Sequence, residues 1–575
     1  MYILGISGYS HESSAALIKD GVLRVFFEEE RLNREKHTWR YPAHAIEACL
    51  KQEGITIQEI DHITFFWKPL KEITGNIIHA LRYFPDSLNL LKGSSGGGEL
   101  SFGLRINNMF SVGKEIRRQF SLSRPPLVNF IEHHLCHAAS AFFVSPFEEA
   151  AILTIDGRGE STSTMMSVGR KDKISKICEV RVPHSLGHLY AAIVDYLGFV
   201  PFYDEWKVMG MSAYGRDTYL KDFEQLIEFL PDGTYRLKLE FFQFHTHGSR
   251  QWVSDKFIRK FGSRRVPESE YSQHCFDISF ALQKVVERAG VHLAKSLYEK
   301  TRLPNLCMTG GVVLNCLMNK CIIVETPFKE FFIQPIANDA GTSLGSSLYY
   351  YHQVLGHPRR FVFDLPYWGS EFSDDQIEAV LKEKGVNYRH SEKIARDTAV
   401  CIAQGKIVGW FQGRMEAGPR ALGHRSIVAD PTRADMKDRL NARVKKREFF
   451  RPFAPSVLEE KVNDYFVMPK RQASPYMILI GDVREEKKRL IPAVTHADGT
   501  ARVHTVSRAA APEYWDLINE FGKITGVYVL INTSFNENEP IVCTPEDALN
   551  CFLRTDFDML SIGSFLVTKE GSLDV

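Results

Sequence analysis

Twice along the chain a short apolar run meets a polar glycine loop and is followed by two more strand-like runs. Residues 2–6 read as a buried strand, and Ser7-Gly8-Tyr9-Ser10-His11-Glu12-Ser13-Ser14 follows. Residues 15–19 and 22–28 then read as two strands joined by Asp20-Gly21, a dipeptide suited to a tight hairpin. The second copy begins with the apolar run 151–155, which leads into Asp156-Gly157-Arg158-Gly159-Glu160. Strand-like runs near 163–169 and 174–182 complete it. This repeated plan predicts an α/β chain containing a duplicated half-domain, with a phosphate-facing loop in each half.

Further along, Phe276, Ile278, Leu282, Val285, Val286 and Ala289 have helical spacing within 275–301. A strand at about 304–308 then meets Thr309-Gly310-Gly311, with a helix expected over 312–319. Glycines that let the backbone approach closely, followed by a helix N-terminus, suit a phosphate; a tight strand-to-helix turn would look the same. Gly93-Ser94-Ser95-Gly96-Gly97-Gly98 reads as a loop, either a lid or plain surface. The pattern breaks at Gly356, Pro358, Pro366 and Gly369. We therefore expect a first domain over 1–360, a linker over 361–389 and a second domain over 390–575, although 575 residues alone predict about three to four folding units.

The 71 basic and 70 acidic residues leave a net charge of +1, so nothing draws the chain as a whole to nucleic acid or anionic lipid. Any anion site must be local. The ten cysteines form no C-x-x-C pair, which argues against zinc ribbons and thioredoxin-like chemistry. No basic leader precedes the first strand, and no apolar run approaches the roughly 20 residues that span a bilayer. These features predict a cytoplasmic protein with neither a nucleic-acid nor a membrane partner.

His133-His134-Leu135-Cys136-His137 precedes small residues that suit a helix. Four residues apart on a helix, the imidazoles of His133 and His137 face the same way and can share a metal ion. Such a pair also arises by chance. Asp156, and Asp339 in Asn338-Asp339-Ala340-Gly341-Thr342, are expected at strand ends beside glycine loops, where carboxylates hold cations near phosphates. Two histidines with one or two aspartates suit Fe(II), Zn(II) or Mn(II) better than Mg(II).

The stretch Trp410 to Ser426 holds Arg414, Arg420 and Arg425 among glycine and proline. It continues through Asn441, Lys445, Lys446 and Arg447 to Arg451-Pro452-Phe453. Guanidinium groups on constrained turns make a pocket for a polyanion. Arg502 lies at a strand start, and Asn532 and Ser534 at a strand end where a ligand can be hydrogen-bonded.

These residues resemble the NodU/TobZ-type O-carbamoyltransferase family. The segments that carry the resemblance include GISGYSHESSAAL, EEERLNREKH, HHLCHA, TIDGRGE, KVMGMSAYG, TGGVVLN, NDAGTSLG, FQGRMEAGPRALGHRS, KKREFFRPFAPSV, DGTARV and LINTSFNENEPIVCTPEDAL. They span nearly the whole chain in order. The resemblance implies an actin-like, TsaD-like first domain and an α/β YrdC-like second domain. It implies that the second domain makes carbamoyladenylate from carbamoyl phosphate and ATP, with Mg accompanying the nucleotide. A hydroxyl of a small molecule then accepts the carbamoyl group in the first domain.

Carried over by the resemblance, His133, His137, Asp156 and Asp339 would hold a metal, usually iron. Asp156, Gly157, Gly310, Gly311 and Asn315 would hold nucleotide. Arg420, Lys445, Arg451, Arg502, Asn532 and Ser534 would bind carbamoyl phosphate and ATP, with Arg451 counted as catalytic, and Glu12 would contact the acceptor. His11, Glu12 and His133 are the candidates for taking the hydroxyl proton. Family analogy implies a homodimer. His504 stands where the family pattern leads us to expect Gln, Trp39 and Trp206 are bulkier than expected on the acceptor side, and Met211 to Gly215 lacks the usual proline. These departures bear on the acceptor. Alternative readings are a tRNA threonylcarbamoyl transferase, which should show a basic face, and a non-catalytic ATP-binding module, which leaves the histidines and arginines without a task.

Overall fold

The protein is described here by a computed structural model, which describes residues 1–92 and 102–569. The expected loop Gly93 to Gly98 lies outside the described residues. The chain divides into two compact units, fewer than its length suggests. The first comprises Met1–Glu29 and His37–Phe363, and the second comprises Glu30–Lys36 and Asp364–Val575.

In the first unit the duplicated plan becomes two five-stranded sheets of identical topology. Strands β1 (Tyr2–Ser7), β2 (Ser14–Lys19), β3 (Val22–Glu28), β4 (His62–Phe65) and β5 (Val128–Phe130) lie in the order β3-β2-β1-β4-β5. Strand β1 pairs antiparallel with β2 and parallel with β4. The second sheet has β6 (Glu149–Ile155), β7 (Thr162–Arg170) and β8 (Lys173–Arg181). After a small hairpin of β9 (Ile227–Phe229) and β10 (Tyr235–Leu237) come β11 (Asn305–Thr309) and β12 (Glu330–Ile333). Their order is β12-β11-β6-β7-β8, with β6 antiparallel to β7 and parallel to β11. This doubled sheet is the α/β framework of the actin-like fold. Both central strands are almost wholly buried, which is why they read as unbroken apolar runs. Asp20 (φ 51°) and Gly21 (φ 79°) adopt the left-handed turn foreseen for them.

Helices Gln273–Thr301, His133–Phe142 and Gly341–Tyr349 flank these sheets. Small residues let the last two approach closely: a Cβ on Gly345 would stand 1.8 Å from the Cys136 carbonyl oxygen. Two local expectations change. The Gly310-Gly311 loop enters a short 3-10 turn, Gly311–Leu314, and the helix begins later, at Cys316–Glu325. Asn315 delays it because its side chain caps the helix, accepting from the Met318 amide at 3.0 Å. Asp339 does not end a strand: it lies beyond β12, in the loop before Gly341–Tyr349.

The second unit is built on a ten-stranded sheet. Its strands are β13 (Asn387–His390), β14 (Val408–Phe411), β15 (Arg425–Ala429), β16 (Ala454–Leu458) and β17 (Phe466–Val467), followed by β18 (Leu479–Val483), β19 (Thr500–Val506), β20 (Val529–Ser534), β21 (Met559–Ile562) and β22 (Phe565–Thr568). Their order is β13-β22-β21-β14-β15-β20-β16-β19-β18-β17. Of the stretch expected as a linker, 361–389, residues 364–389 are structured and serve this unit. The stretch contains the helix Asp374–Glu383, opened by a Ser373/Gln376 capping box, and the start of β13. Its glycines and prolines mark turns around these elements.

Glu30–Lys36 also belongs to this unit despite its place in the N-terminal sequence. Arg31 is buried and donates to the Gly418 carbonyl at 2.7 Å. Arg34 donates to the Pro540 and Ile541 carbonyls. Among the described residues no helix is long and apolar enough to cross a membrane.

Candidate functional site

In the first unit, the helix His133–Phe142 turns His133 and His137 inward, with their Nε2 atoms 3.1 Å apart. The Asp156 Oδ2 lies 2.8 Å from the first and 3.2 Å from the second. Asp339 Oδ1 stands 3.6 Å from both. One ligand atom from each of the four buried residues falls within 4.8 Å of all the others.

Three of the four ligand residues are held by neighbouring groups. The other oxygen of Asp156, Oδ1, accepts from the amides of Gly157 (2.8 Å) and Gly311 (3.2 Å). Asp339 Oδ2 accepts from Ser10 Oγ at 2.9 Å, which brings the first glycine loop to the cluster. Glu160 is buried and accepts from the His133 and Lys68 amides. Gly310, at φ 98°, passes so close to β6 that a Cβ there would lie 2.2 Å from the Ile155 carbonyl oxygen.

The donor set fits a metal ion. Two imidazole nitrogens about 3 Å apart, facing shared carboxylate oxygens, match the edge of a coordination shell with bonds of about 2.1 Å. With both Nε2 atoms turned to the cluster, the Nδ1 atoms of His133 and His137 are buried and have no hydrogen-bond partner among the described residues. Burial alone would lower the His137 pKa, but hydrogen bonds to Asp156 and Asp339 raise it to about 9. Burial works to raise Asp156, and the two histidines nevertheless hold it well below the usual carboxylate range. Such opposed demands are those of a site that keeps anionic and neutral ligands together for a cation.

Of the expected nucleotide residues, Gly157, Gly310 and Gly311 adjoin the same cluster. The amides of Gly157 and Gly311 are donated to Asp156, and that of Gly310 to the Ala337 carbonyl at 2.9 Å. Asn315 caps its helix and exchanges two hydrogen bonds with Gln283. The glycines here permit close backbone packing more than they present open amides. Glu12, at φ 59°, has Oε1 3.2 Å from His37 Nδ1, a residue that sequence reasoning passed over. His11 packs on Phe202 with centroids 4.8 Å apart.

In the second unit the basic residues divide into two groups. Arg425 is wholly buried, lies over the Phe411 ring at 3.7 Å and donates to the carbonyls of Gln412, Gly413, His424 and Ser370. It is a strut. Glu416, also buried, accepts from the amides of Leu422, His424 and Arg425 and so shapes the loop bearing Arg420.

The second group is linked by mutual repulsion. Burial, then Arg447 and Arg451, push the Lys445 ammonium well below its ordinary pKa. Burial, Arg451 and Arg502 do the same to Arg447. The four cations thus act on one another through their charges, and Glu448 lies 3.6 Å from Arg451. Lys445 donates to Ser534 O and to Asn536 O and Oδ1, at 2.6–2.7 Å, bracing the end of β20. Asn532 donates to the Ala421 carbonyl at 3.1 Å, tying the Arg420 loop to the same strand. His504 lies beside it, with Nδ1 2.8 Å from Ser456 Oγ, and burial lowers its pKa to about 3.

Arg447 is the residue missed as a site member. The signal was its place in Lys445-Lys446-Arg447. Lys446 takes a left-handed backbone (φ 42°), which leaves its own side chain exposed and lets Arg447 turn inward to stack on Phe453 at 4.2 Å.

Comparison with known proteins matches residues 2–348 to the family described as carbamoyltransferase N-terminus and residues 399–569 to carbamoyltransferase C-terminus. An uncharacterized protein of Synechocystis is 40% identical over 99% of this chain and 97% of its own length. Nodulation protein NolNO of Sinorhizobium fredii is 39% identical over 98% of this chain and 79% of its own. Among solved structures, HypF of T. kodakarensis aligns with 62% of this chain and 48% of its own, at 12% identity and a TM-score of 0.32.

Proposed function

Since the chain belongs to the carbamoyltransferase family, we propose that it is an ATP-dependent O-carbamoyltransferase that works in two half-reactions. The second unit takes carbamoyl phosphate, water and ATP, with Mg on the nucleotide, and makes carbamoyladenylate, pyrophosphate and inorganic phosphate. The first unit moves the carbamoyl group to a hydroxyl of a small molecule, and AMP leaves. The observation that carries this reading is the presence, in one chain, of a buried two-histidine, two-aspartate cluster and a separate cluster of Lys445, Arg447, Arg451 and Arg502.

The roles follow from charge. Carbamoyl phosphate and ATP repel one another, and Arg420, Arg447, Arg451 and Arg502 offset that repulsion. Lys445 adds charge while it holds the Ser534 and Asn536 backbone in place. In the first unit His133, His137, Asp156 and Asp339 would hold Fe(II) or another divalent transition metal. Such an ion supplies Lewis-acid polarisation of a carbamoyl oxygen. His133 is committed to that cluster through Nε2. Removal of the hydroxyl proton therefore falls to Glu12, with His37 on its Oε1, or to His11. Ten free cysteines support a reducing, cytoplasmic setting.

The test is to incubate the protein with carbamoyl phosphate and labelled ATP, without acceptor, and to look for pyrophosphate and carbamoyladenylate. Both should form. If metal-loaded protein released no pyrophosphate, the two-step reading would be wrong.

A further inference from the structure

The helix Pro69–Arg82 in the first unit is amphipathic, and it is turned inside out. Its polar residues face inward. Glu72 is fully buried and accepts from Trp67 Nε1 at 3.1 Å, from Arg158 at 2.7 Å and from Arg105. One turn on, Asn76 accepts from Arg158 at 2.8 Å, and His79 Nε2 donates to the His245 carbonyl at 2.7 Å. Between them a Cβ on Gly75 would stand 3.2 Å from the Ser161 side chain.

The apolar residues face solvent. Leu70, Ile77, Ile78 and Leu81 fall at i, i+7, i+8 and i+11, on one side of the helix, and each is more than half exposed. Phe84 (67% exposed) and Leu88 (50% exposed) continue the run past the helix end. A surface helix ordinarily buries its apolar stripe and wets the other face. Turning this one to do so would strip two guanidinium groups and an indole N–H from a buried carboxylate, so the orientation is fixed from within. An exposed apolar run of this length marks an interaction surface.

Charge indicates what covers it. The helix Phe102–Gln119 adjoins the first through the Arg105–Glu72 ion pair, and its exposed residues include Phe110, Lys114 and Arg117. Arg82, Lys114, Arg117 and Arg124 are exposed and make no ion pair among the described residues. Glu115 is engaged by Arg118, which leaves Asp86 as the opposing exposed acid. Residues 68–124 hold nine basic and four acidic side chains, a net charge of +5 in a chain whose total is +1. A second copy laid on this face would bring like charges together. An anionic lipid surface suits both features, since its acyl region takes the apolar stripe and its headgroups take the cations.

We propose that the helix Pro69–Arg82, with Phe84 and Leu88, is a docking element that lays the first unit on an anionic lipid surface. It would lie among the headgroups, because its 14 residues are too few to span a bilayer. The expectation of no membrane partner rests on charge averaged over the whole chain, and a local excess disappears in such an average. Docking of this kind does not depend on the two-step reading above.

The test is vesicle flotation of the full-length protein. Wild type should float with phosphatidylcholine vesicles containing about a third phosphatidylserine, in about 0.1 M salt. With phosphatidylcholine alone the bound fraction should fall about tenfold, and salt at about 0.5 M should release most of the protein from the anionic vesicles. The double variant Ile78→Asp, Leu81→Asp should lose at least about tenfold in binding, and the milder Ile78→Gln, Leu81→Gln should lose about threefold or more. Lys114→Ala with Arg117→Ala should cost about tenfold. Thermal melting identifies any variant that fails to fold. Wild type that does not float, or that floats equally with both vesicles, overturns the proposal. Flotation indifferent to the folded Ile78 and Leu81 variants overturns it as well. Sedimentation equilibrium covers the competing occupant: self-association lost in the aspartate variant, with no flotation of wild type, would assign the stripe to a second copy and end the lipid assignment.

Discussion

In the first unit, lone-pair donors converge: His133, His137, Asp156 and Asp339 within 4.8 Å, none of them a permanent cation. In the second unit Lys445, Arg447, Arg451 and Arg502 converge, and burial with mutual repulsion depresses the first two. Gathering like charges out of water costs several kcal/mol per ion unless an opposite charge offsets it. Each region is thus complementary to the charge it lacks, a cation in the first and anions in the second. On the proposed two-step reading, the comparison also separates the two half-reactions, so that a substitution in one region should leave the other's chemistry standing.

The sharpest attempt to break that separation is Arg451→Ala. It should lower pyrophosphate release by about a thousandfold, as removal of a fixed charge from a dry anion site does. Full activity in the variant would remove the cation cluster from the reaction. His137→Ala should next abolish bound metal, read by elemental analysis, and slow transfer by about a hundredfold or more. Pyrophosphate release should persist, and chelation of the wild-type metal should act likewise. Loss of both half-reactions together would show that the regions are not separable.

A smaller effect is expected at Arg447. Its replacement by alanine should raise the KM for carbamoyl phosphate about ten- to a hundredfold, measured by pyrophosphate release. The smallest concerns pH. Burial raises the Glu205 carboxyl from its ordinary 4.5 to about 7. A group raised in the fold adds stability that is complete below about 4.5 and lost as pH climbs through about 7. Glu205→Gln should remove that slope, so its melting temperature relative to wild type should rise by a few degrees between pH 5 and pH 8. A constant difference across that range would mean that Glu205 does not titrate there.

Much of this was legible in the sequence, for local reasons. Central strands buried on both faces read as apolar runs, and Asp20-Gly21 reads as a left-handed turn, because each depends on a few neighbouring residues. His133 and His137 were legible because helical spacing alone puts them on one face. Asp339 was picked as a metal residue, yet its setting differed: it reaches the cluster from a loop and is steadied by Ser10, 329 residues away in sequence. The basic region was legible as a set but not member by member. Arg425 and Arg447 look alike in sequence. A left-handed turn at Lys446 sends Arg447 to the cation cluster, while β15 commits Arg425 to the interior. Of the stretch 361–389, expected as a linker on its glycines and prolines, residues 364–389 join the second unit through a capped helix and β13.

The sequence alone thus determined the doubled α/β plan, the hairpins, the helical histidine pair and the kinds of side chain available for each charge. Those properties follow from backbone sterics and periodicity over a handful of residues. Tertiary structure decided which cations join the cluster of the second unit, that Glu30–Lys36 serves that unit, and that Phe202 is held in strained backbone against Gly157. These outcomes depend on contacts between segments far apart in the chain, and burial of the whole unit selects among them where local preference is silent.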